Sequence, residues 1–278
     1  MKKILITGAN SYVGTSFEKW LSQWPDKYHV DTIDMIDGTW REKSFAGYDV
    51  IFHVAGIAHV KETKKNAHLY DEINRDLAYE TAQKAKSEGV SQIIFMSSMS
   101  VYGIDTGIIT KDTETCPKSH YGKSKLQAER QISQLAEKTF SVTILRPPMI
   151  YGKGCKGNYA KLAKLAKKIP VFPEIKNQRS MLYIDNLSEF IRNLIDTRQD
   201  GLFLPQNEEY VCTSELVKEI AGLYGRKMKV VKIFNPLIII LHDRVKILNK
   251  IFGSLVYFQD ASVCHTIGFK ESVRLSEQ

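Results

Sequence analysis

Lys3-Ile4-Leu5-Ile6-Thr7-Gly8-Ala9-Asn10-Ser11-Tyr12-Val13-Gly14 is the stretch on which the reading of this chain turns. Its first five residues read as a buried strand. After the loop, Val13, Phe17, Trp20, Leu21 and Trp24 recur at i, i+4, i+7, i+8 and i+11, one face of a helix. A glycine between strand and helix permits a tight turn, and the N–H groups opening the helix can receive a pyrophosphate. Gly14 lets the helix lie close to the sheet. Such turns also occur with no ligand, so Gly8 and Gly14 alone say little. A second strand, Val30 to Asp34, adds the deciding feature. Asp34 stands twenty positions beyond Gly14, where a carboxylate can accept hydrogen bonds from an adenosine ribose. Asp31 has the wrong parity to point with Asp34, whereas Asp37 can reach an adenine from the following loop. The combination predicts a dinucleotide site built from Gly8, Asn10, Ser11, Tyr12, Val13, Gly14, Asp34 and Asp37.

Outward from this loop, apolar strands alternate with helical patterns. Val50–Val54, Gln92–Met96 and Ser141–Arg146 read as strands, and 69–88 and 121–138 as helices. This predicts an α/β fold, a Rossmann-type doubly wound parallel sheet with a smaller C-terminal substrate-binding lobe. Met35–Tyr48 is too short for the usual helix and predicts an abbreviated crossover. After Pro147-Pro148, lysines crowd 153–168 and turn signals become denser. The expected division is 1–148 as the dinucleotide-binding domain and 149–278 as the lobe. About 180–202, with Ile184–Ile195, is expected to return to the main sheet.

The chain of 278 residues, 43% hydrophobic and 25% charged, can bury a full core. Its four cysteines form no C-x-x-C pair and no secretory leader precedes them, so reduced thiols in the cytoplasm are expected. No apolar run approaches the roughly 20 residues of a membrane span; the longest, Pro236–Leu241, breaks at His242-Asp243-Arg244. The seven histidines lack metal-ligand spacing, and no metal is expected. A formal charge of +8 suits nucleic acid, an anionic membrane surface or an anionic small substrate without choosing among them.

Tyr121-Gly122-Lys123-Ser124-Lys125 places Tyr121 and Lys125 on one helical face. A phenol of ordinary pKa about 10 is a poor base. A neighbouring ammonium and the positive nicotinamide of an oxidised cofactor favour its phenolate. Thirteen tyrosines and abundant lysines make one such pair expected by chance, so position carries the argument. The strand before it ends in Ser97-Ser98-Met99-Ser100-Val101-Tyr102-Gly103, and strand C-termini line the ligand crevice of a parallel sheet.

Gly8-x-x-Ser11-x-x-Gly14, Asp34, His53-Val54-Ala55-Gly56, Asn74, Ser98, Val101-Tyr102-Gly103, Tyr121-x-x-x-Lys125, Arg146-Pro147-Pro148 and Arg179–Leu187 follow one another in a familiar order. Together they resemble the extended short-chain dehydrogenase/reductase superfamily, in its nucleotide-sugar epimerase/dehydratase branch. The resemblance implies Tyr121 as base, Lys125 as the group that lowers its pKa and holds a ribose, and Ser98 as the relay to the substrate hydroxyl. It implies Val54, Ala55 and Gly56 beside the cofactor, Asn74 bracing the site, and Pro148 against the nicotinamide. Ser100 would line the sugar, with Asn158 and Arg179 facing the diphosphate of the sugar nucleotide.

The implied activity is an NAD-dependent nucleotide-sugar 4-epimerase working by transient C4 oxidation. The alternative is an NAD(P)H-dependent reductase of a nucleotide 4-keto-(6-deoxy) sugar, and a more distant one a non-catalytic dinucleotide-binding protein. NAD is expected over NADP because of Asp34. The expected partner is a UDP-sugar or similar nucleotide sugar, with no nucleic acid, no transmembrane segment, and a homodimer left open. Two departures stand out: Ser11 replaces the family's usual middle glycine and brings a side chain to the pyrophosphate, which its hydroxyl could contact. Met149 replaces an asparagine that contacts phosphate in many hexose 4-epimerases. No Asp-Glu pair follows Ser98, which weakens a 4,6-dehydratase reading. The lysines at 153–168 read as a solvated face before a membrane or ligand surface. Of the histidines, only His120 invites a test for catalysis.

Overall fold

The computed structural model describes every residue except 59, 61, 64, 237, 239–245, 259–262 and 265. It divides into two units. The first comprises Met1–Gly103, Glu114–Pro147 and Ser188–Leu204. Its strands are β1 (Lys2–Thr7), β2 (Tyr28–Ile33), β3 (Val50–His53), β4 (Gln92–Met96), β6 (Ser141–Leu145) and β10 (Gly201–Phe203). They form one parallel sheet in the order β10-β6-β4-β3-β1-β2. Ile4, Ile6, Ile51, Phe52, Ile93 and Ile94 are fully buried, as a sheet covered on both faces requires. From β1 the chain order runs outward both ways, to β2 and to β3, so the switch point lies at the C-terminal ends of β1 and β3.

The helix α1 (Tyr12–Leu21) buries Phe17 and Leu21 as the periodicity predicts, but stops short of Trp24. Pro25 disfavours helical backbone at the residue before it. Between β2 and β3 the crossover is a single 3₁₀ turn, Thr39–Arg41. Trp40 and Phe45, both fully buried with rings stacked at 6.3 Å, fill the place a helix would take. The predicted helix 69–88 is three pieces: α2 (Ala67–Tyr70), a π-helical stretch Asp71–Asp76, and α3 (Leu77–Ser87). π turns of this kind recur at functional sites, and this one carries Asn74. Helix α4 (His120–Ser133) ends a turn before the predicted Lys138, where Glu137 and Phe140 close an antiparallel bridge.

Of the stretch expected to return to the main sheet, Ile184–Ile195 is helical and Ser188–Leu204 belongs to the unit that holds the sheet. The helix is α6 (Ile184–Asp196), with Leu187, Ile191, Leu194 and Ile195 buried at helical spacing. The strand that does join the sheet is β10, which pairs with β6.

The second unit comprises Ile104–Thr113, Pro148–Leu187 and Pro205–Gln278. Short parallel pairs build it: β5 (Gly107–Ile109) with β13 (Leu255–Tyr257), β7 (Met149–Tyr151) with β9 (Met181–Tyr183), β8 (Val171–Pro173) with β12 (Lys229–Val231), and β11 (Gln206–Asn207) with β14 (Val263–Cys264). Pairing with β13 draws residues 104–113 out of the first unit. Helices α5 (Asn158–Ala166) and α7 (Thr213–Leu223) pack together. Tyr151 and Tyr159 stack at 5.1 Å in the interior. The cysteines are all free thiols. Among the described residues no helix is long and apolar enough to cross a membrane, and no three His, Cys, Asp or Glu are grouped to hold a metal.

Candidate active site

The loop after β1 is shaped by backbone that only certain residues adopt. Gly8 has φ +110°, and a Cβ there would lie 2.7 Å from the Ala55 nitrogen. Asn10 takes φ 63°, a left-handed conformation that asparagine tolerates. Ser11 caps α1, its Oγ accepting from the Gly14 N–H at 3.1 Å. That bond uses a lone pair of the hydroxyl and leaves its proton to donate elsewhere. A Cβ at Gly14 would come within 3.2 Å of Ile6 and Val54 side chains, so the helix does rest against β1 and β3 there. Tyr12 and Val13 open its first turn.

Asp34 directly follows β2 and is exposed, its Oδ1 accepting from the Ile36 N–H at 2.9 Å. Asp37 accepts from the Thr39 hydroxyl at 2.7 Å and its N–H at 3.0 Å, and these bonds hold its carboxyl below the usual range. Asp31 is engaged elsewhere, accepting from the Tyr48 hydroxyl at 2.7 Å and lying 3.1 Å from His29.

At the end of β3, the Val54 and Ala55 N–H groups donate to the Thr7 carbonyl. A Cβ on Gly56 would lie 2.8 Å from Asn74 Oδ1 and 3.3 Å from Lys125 Nζ. Asn74 is fully buried: it accepts from the Ile57 N–H at 2.8 Å and donates to the Ile57 carbonyl at 3.1 Å and Ser124 Oγ at 3.3 Å. It thus ties the loop after β3 to α4. His53 is fully buried and pairs through Nδ1 with Thr7 Oγ1 at 2.8 Å. Burial, with the Lys125 charge nearby, pushes its imidazole down to about 3, which keeps it neutral.

Ser98 caps a 3₁₀ turn, Met99–Tyr102, accepting from the Ser100 N–H at 3.1 Å. Its hydroxyl also donates to Ser100 Oγ at 3.1 Å. Gly122 explains how α4 reaches this turn, since a Cβ there would be 2.6 Å from the Ser100 carbonyl oxygen. Gly103 is equally constrained, at φ +65° and with Cys116 O where its Cβ would be. The close approach brings the Tyr121 phenol near enough to Ser98 for the serine hydroxyl to act on its titration. Burial pushes the Tyr121 phenol above its ordinary pKa, the nearby Ser98 hydroxyl opposes this, and Tyr70 adds to the rise. Lys125 lies one turn on, its ammonium donating to the Met96 carbonyl at 2.8 Å and sitting 4.7 Å over the Phe95 ring. Burial lowers its pKa to about 8, with Glu129 opposing. In the protein alone, therefore, Lys125 is turned to the strand end rather than bonded to the phenol.

Two acids outside the sequence motifs hold this arrangement. The Glu62 carboxylate accepts from the His120 and Tyr121 N–H groups, both at 3.1 Å, a favourable place for negative charge at the start of α4. The His120 side chain itself is exposed. Glu129, buried on α4, binds the Arg146 guanidinium at 2.6 Å and accepts from Ser97. Arg146 also donates to the Tyr102 hydroxyl at 2.9 Å. One buried ion pair thus joins α4, the end of β4, the serine turn and the end of β6. Glu129 stands four residues after Lys125, so a helical projection of the Tyr121–Lys125 face would have found it; nothing in the sequence marked Glu62.

In the second unit, Pro148 is buried, Asn158 opens α5 and is exposed, and Met149 is half-buried on β7. Arg179 Nη1 donates to the Gly253 carbonyl at 2.9 Å. Among the described residues it makes no ion pair within 4.0 Å; Asp105 exerts a more distant attraction, and burial lowers the guanidinium pKa.

Residues 4–212 match the family described as "NAD dependent epimerase/dehydratase family". The chain belongs to that family. It is accordingly an NAD-dependent enzyme, with the Rossmann-type sheet expected from its first loop. A UDP-glucose 4-epimerase of Vibrio cholerae is 31% identical over 79% of this chain and 75% of its own length. An N-acetyl-alpha-D-glucosaminyl-diphospho-ditrans,octacis-undecaprenol 4-epimerase of Escherichia coli O157:H7 is 26% identical over 99% and 92%. The solved UDP-glucuronic acid 4-epimerase of Bacillus cereus, in complex with NAD, superposes with a TM-score of 0.75 at 17% identity, covering 99% of this chain and 97% of its own. That last likeness concerns the fold.

Proposed function

We propose that this member of the family is a 4-epimerase of a sugar carried on a diphosphate, with a UDP-sugar as the first substrate to test. The serine turn set against the start of α4, with Tyr121 and Lys125 one turn apart on that helix, carries the reading. A protein that only bound a dinucleotide would have no use for a half-buried phenol beside a serine turn and a buried lysine. The chain's residues fit NAD on their own geometry. Gly8 and Asn10 give the turn, α1 presents its first amides, Asp34 offers an exposed carboxylate, and Gly56 leaves open the space beside Lys125. Bound NAD would supply the transient oxidation at C4, as a reversible hydride acceptor.

The protein's own part is proton movement and orientation. Tyr121 Oη takes the proton of the C4 hydroxyl and later gives it back, while Ser98 Oγ steadies that oxygen. The protein alone holds the phenol above its ordinary pKa; a positive charge near it, such as an oxidised nicotinamide would supply, would favour the phenolate. Arg179, a half-buried cation with a carbonyl as its direct partner, is suited to the substrate diphosphate. A polyprenyl diphosphate sugar, which the name of the Escherichia coli relative specifies, offers the same group.

Met149 favours a second reading. A half-buried thioether on β7 makes no phosphate contact, and the site could then serve a nucleotide 4-keto sugar reductase using the same residues once. The test supplies UDP-glucose, UDP-galactose, their N-acetyl forms and a UDP-4-keto-6-deoxy sugar, each with and without NADH or NADPH. Interconversion without added reductant supports the epimerase. Stoichiometric oxidation of reductant with the keto sugar, and no interconversion, would replace it with the reductase.

A further inference from the structure

The second unit carries an apolar turn set among cations, and the chemistry above does not use it. β12 runs directly into Lys232-Ile233-Phe234-Asn235. Ile233 is 78% exposed and Phe234 44%. Two adjacent large apolar side chains this exposed form a small apolar patch, the kind of surface that contacts are built on when charge surrounds it. The turn is well anchored: the Asn235 N–H donates to the Lys232 carbonyl at 2.9 Å, and its Nδ2 to the Glu174 carbonyl at 2.7 Å. Glu174 N–H in turn donates to Val231 O at 2.9 Å, and Ile238 beyond is buried.

The surrounding charge is one-sided. Arg226, Lys227, Lys229 and Lys232 are exposed. The acid at this turn is Glu174, half-buried and 3.9 Å from Lys232. From 226 to 252 the sequence holds seven Lys or Arg and one acid, Asp243. A second copy of the chain is a poor occupant, because a two-fold interface would set these cations against their own images. Exposed apolar side chains that follow a run of exposed cations along the chain are instead the chemistry of an anionic lipid surface.

We propose that this turn is a peripheral membrane anchor, in which Ile233 and Phe234 enter the headgroup region of an anionic bilayer and Lys227, Lys229 and Lys232 meet its phosphates. The inference goes beyond the proposed activity and does not depend on which sugar is turned over. The test is sedimentation of the full chain with vesicles of phosphatidylethanolamine and phosphatidylglycerol, roughly three to one, and with phosphatidylcholine vesicles. The chain should sediment with the first and stay in solution with the second. Each cation near such a surface contributes about fivefold, so Lys227→Glu/Lys229→Glu/Lys232→Glu should weaken partitioning by more than about a hundredfold. Ile233→Ser/Phe234→Ser should weaken it by at least about tenfold, at the roughly 25 cal/mol per Å² of apolar burial. Retained thermal stabilisation by NAD shows that each variant is folded. Should a variant fail that check, release of the unmodified chain by about 0.5 M salt, which shortens screening to a few ångströms, reads the same attraction. Failure of the chain to sediment with anionic vesicles would overturn the proposal. So would equal binding to phosphatidylcholine, folded variants that bind like the original, or a dimer that the serine pair splits.

Discussion

Replacing Lys125 with methionine should make the free protein more stable while abolishing its turnover. The ammonium is buried, and its pKa falls from 10.5 to about 8. Below pH 8 the folded chain carries a charge that its environment disfavours. Between pH 8 and 10.5 the unfolded chain holds a proton that the folded chain has released, so stability rises with pH across this window. The gap corresponds to about 3 kcal/mol at pH 7. Methionine removes the charge but leaves the Met96 carbonyl without its donor, a loss of about 1–2 kcal/mol. The net gain at pH 7 is about 1–2 kcal/mol, a rise in Tm of a few degrees. By pH 10 the wild-type penalty has shrunk to about 1 kcal/mol, and the advantage should vanish. Urea unfolding of both proteins without cofactor, at pH 7 and pH 10, measures this. A Lys125→Met protein less stable at pH 7, or a difference that does not change with pH, would refute the reasoning.

Other substitutions probe separate parts of the account. Asp34→Ala should weaken NAD binding by about tenfold or more, as expected for loss of charge-assisted hydrogen bonds, and erase the preference over NADP. Titration of both cofactors checks it, and wild type binding NADP more tightly would remove Asp34 from this role. Glu129→Ala strands the Arg146 cation in a buried setting and should cost about 3–5 kcal/mol; calorimetric unfolding showing a loss below about 1 kcal/mol would mean the pair does not brace the site. Arg179→Ala should weaken sugar-nucleotide binding and spare NAD, and equal loss of both in titration calorimetry would give Arg179 a structural role.

The first loop was legible because each of its residues answers a local demand. Gly8 must turn, Gly14 must let two side chains close in, and Asp34 ends a strand at a fixed distance. The short crossover was legible from length alone. Other features depend on tertiary packing. The apolar run 184–195 satisfies strand and helix readings until its buried positions are seen to repeat at helical spacing. The π turn around Asn74 leaves no local mark in the sequence. The clearest shortfall is Lys125: its spacing from Tyr121 placed both on one face, but not the carbonyl and aromatic ring that turn its ammonium toward β4. Glu62 was invisible because a loop fifty-eight residues before His120 supplies the cap of α4.

The central claim is that hydride leaves and returns to one carbon of one sugar while Tyr121 handles the proton. It is tested by supplying the accepted UDP-sugar with deuterium at C4 and following the epimeric product by mass spectrometry and NMR. The product should keep its deuterium at C4 with no added reductant and no uptake from solvent, and Tyr121→Phe should lose most of this turnover. Deuterium lost from C4, or a product formed only as added NADH or NADPH is consumed, would contradict it.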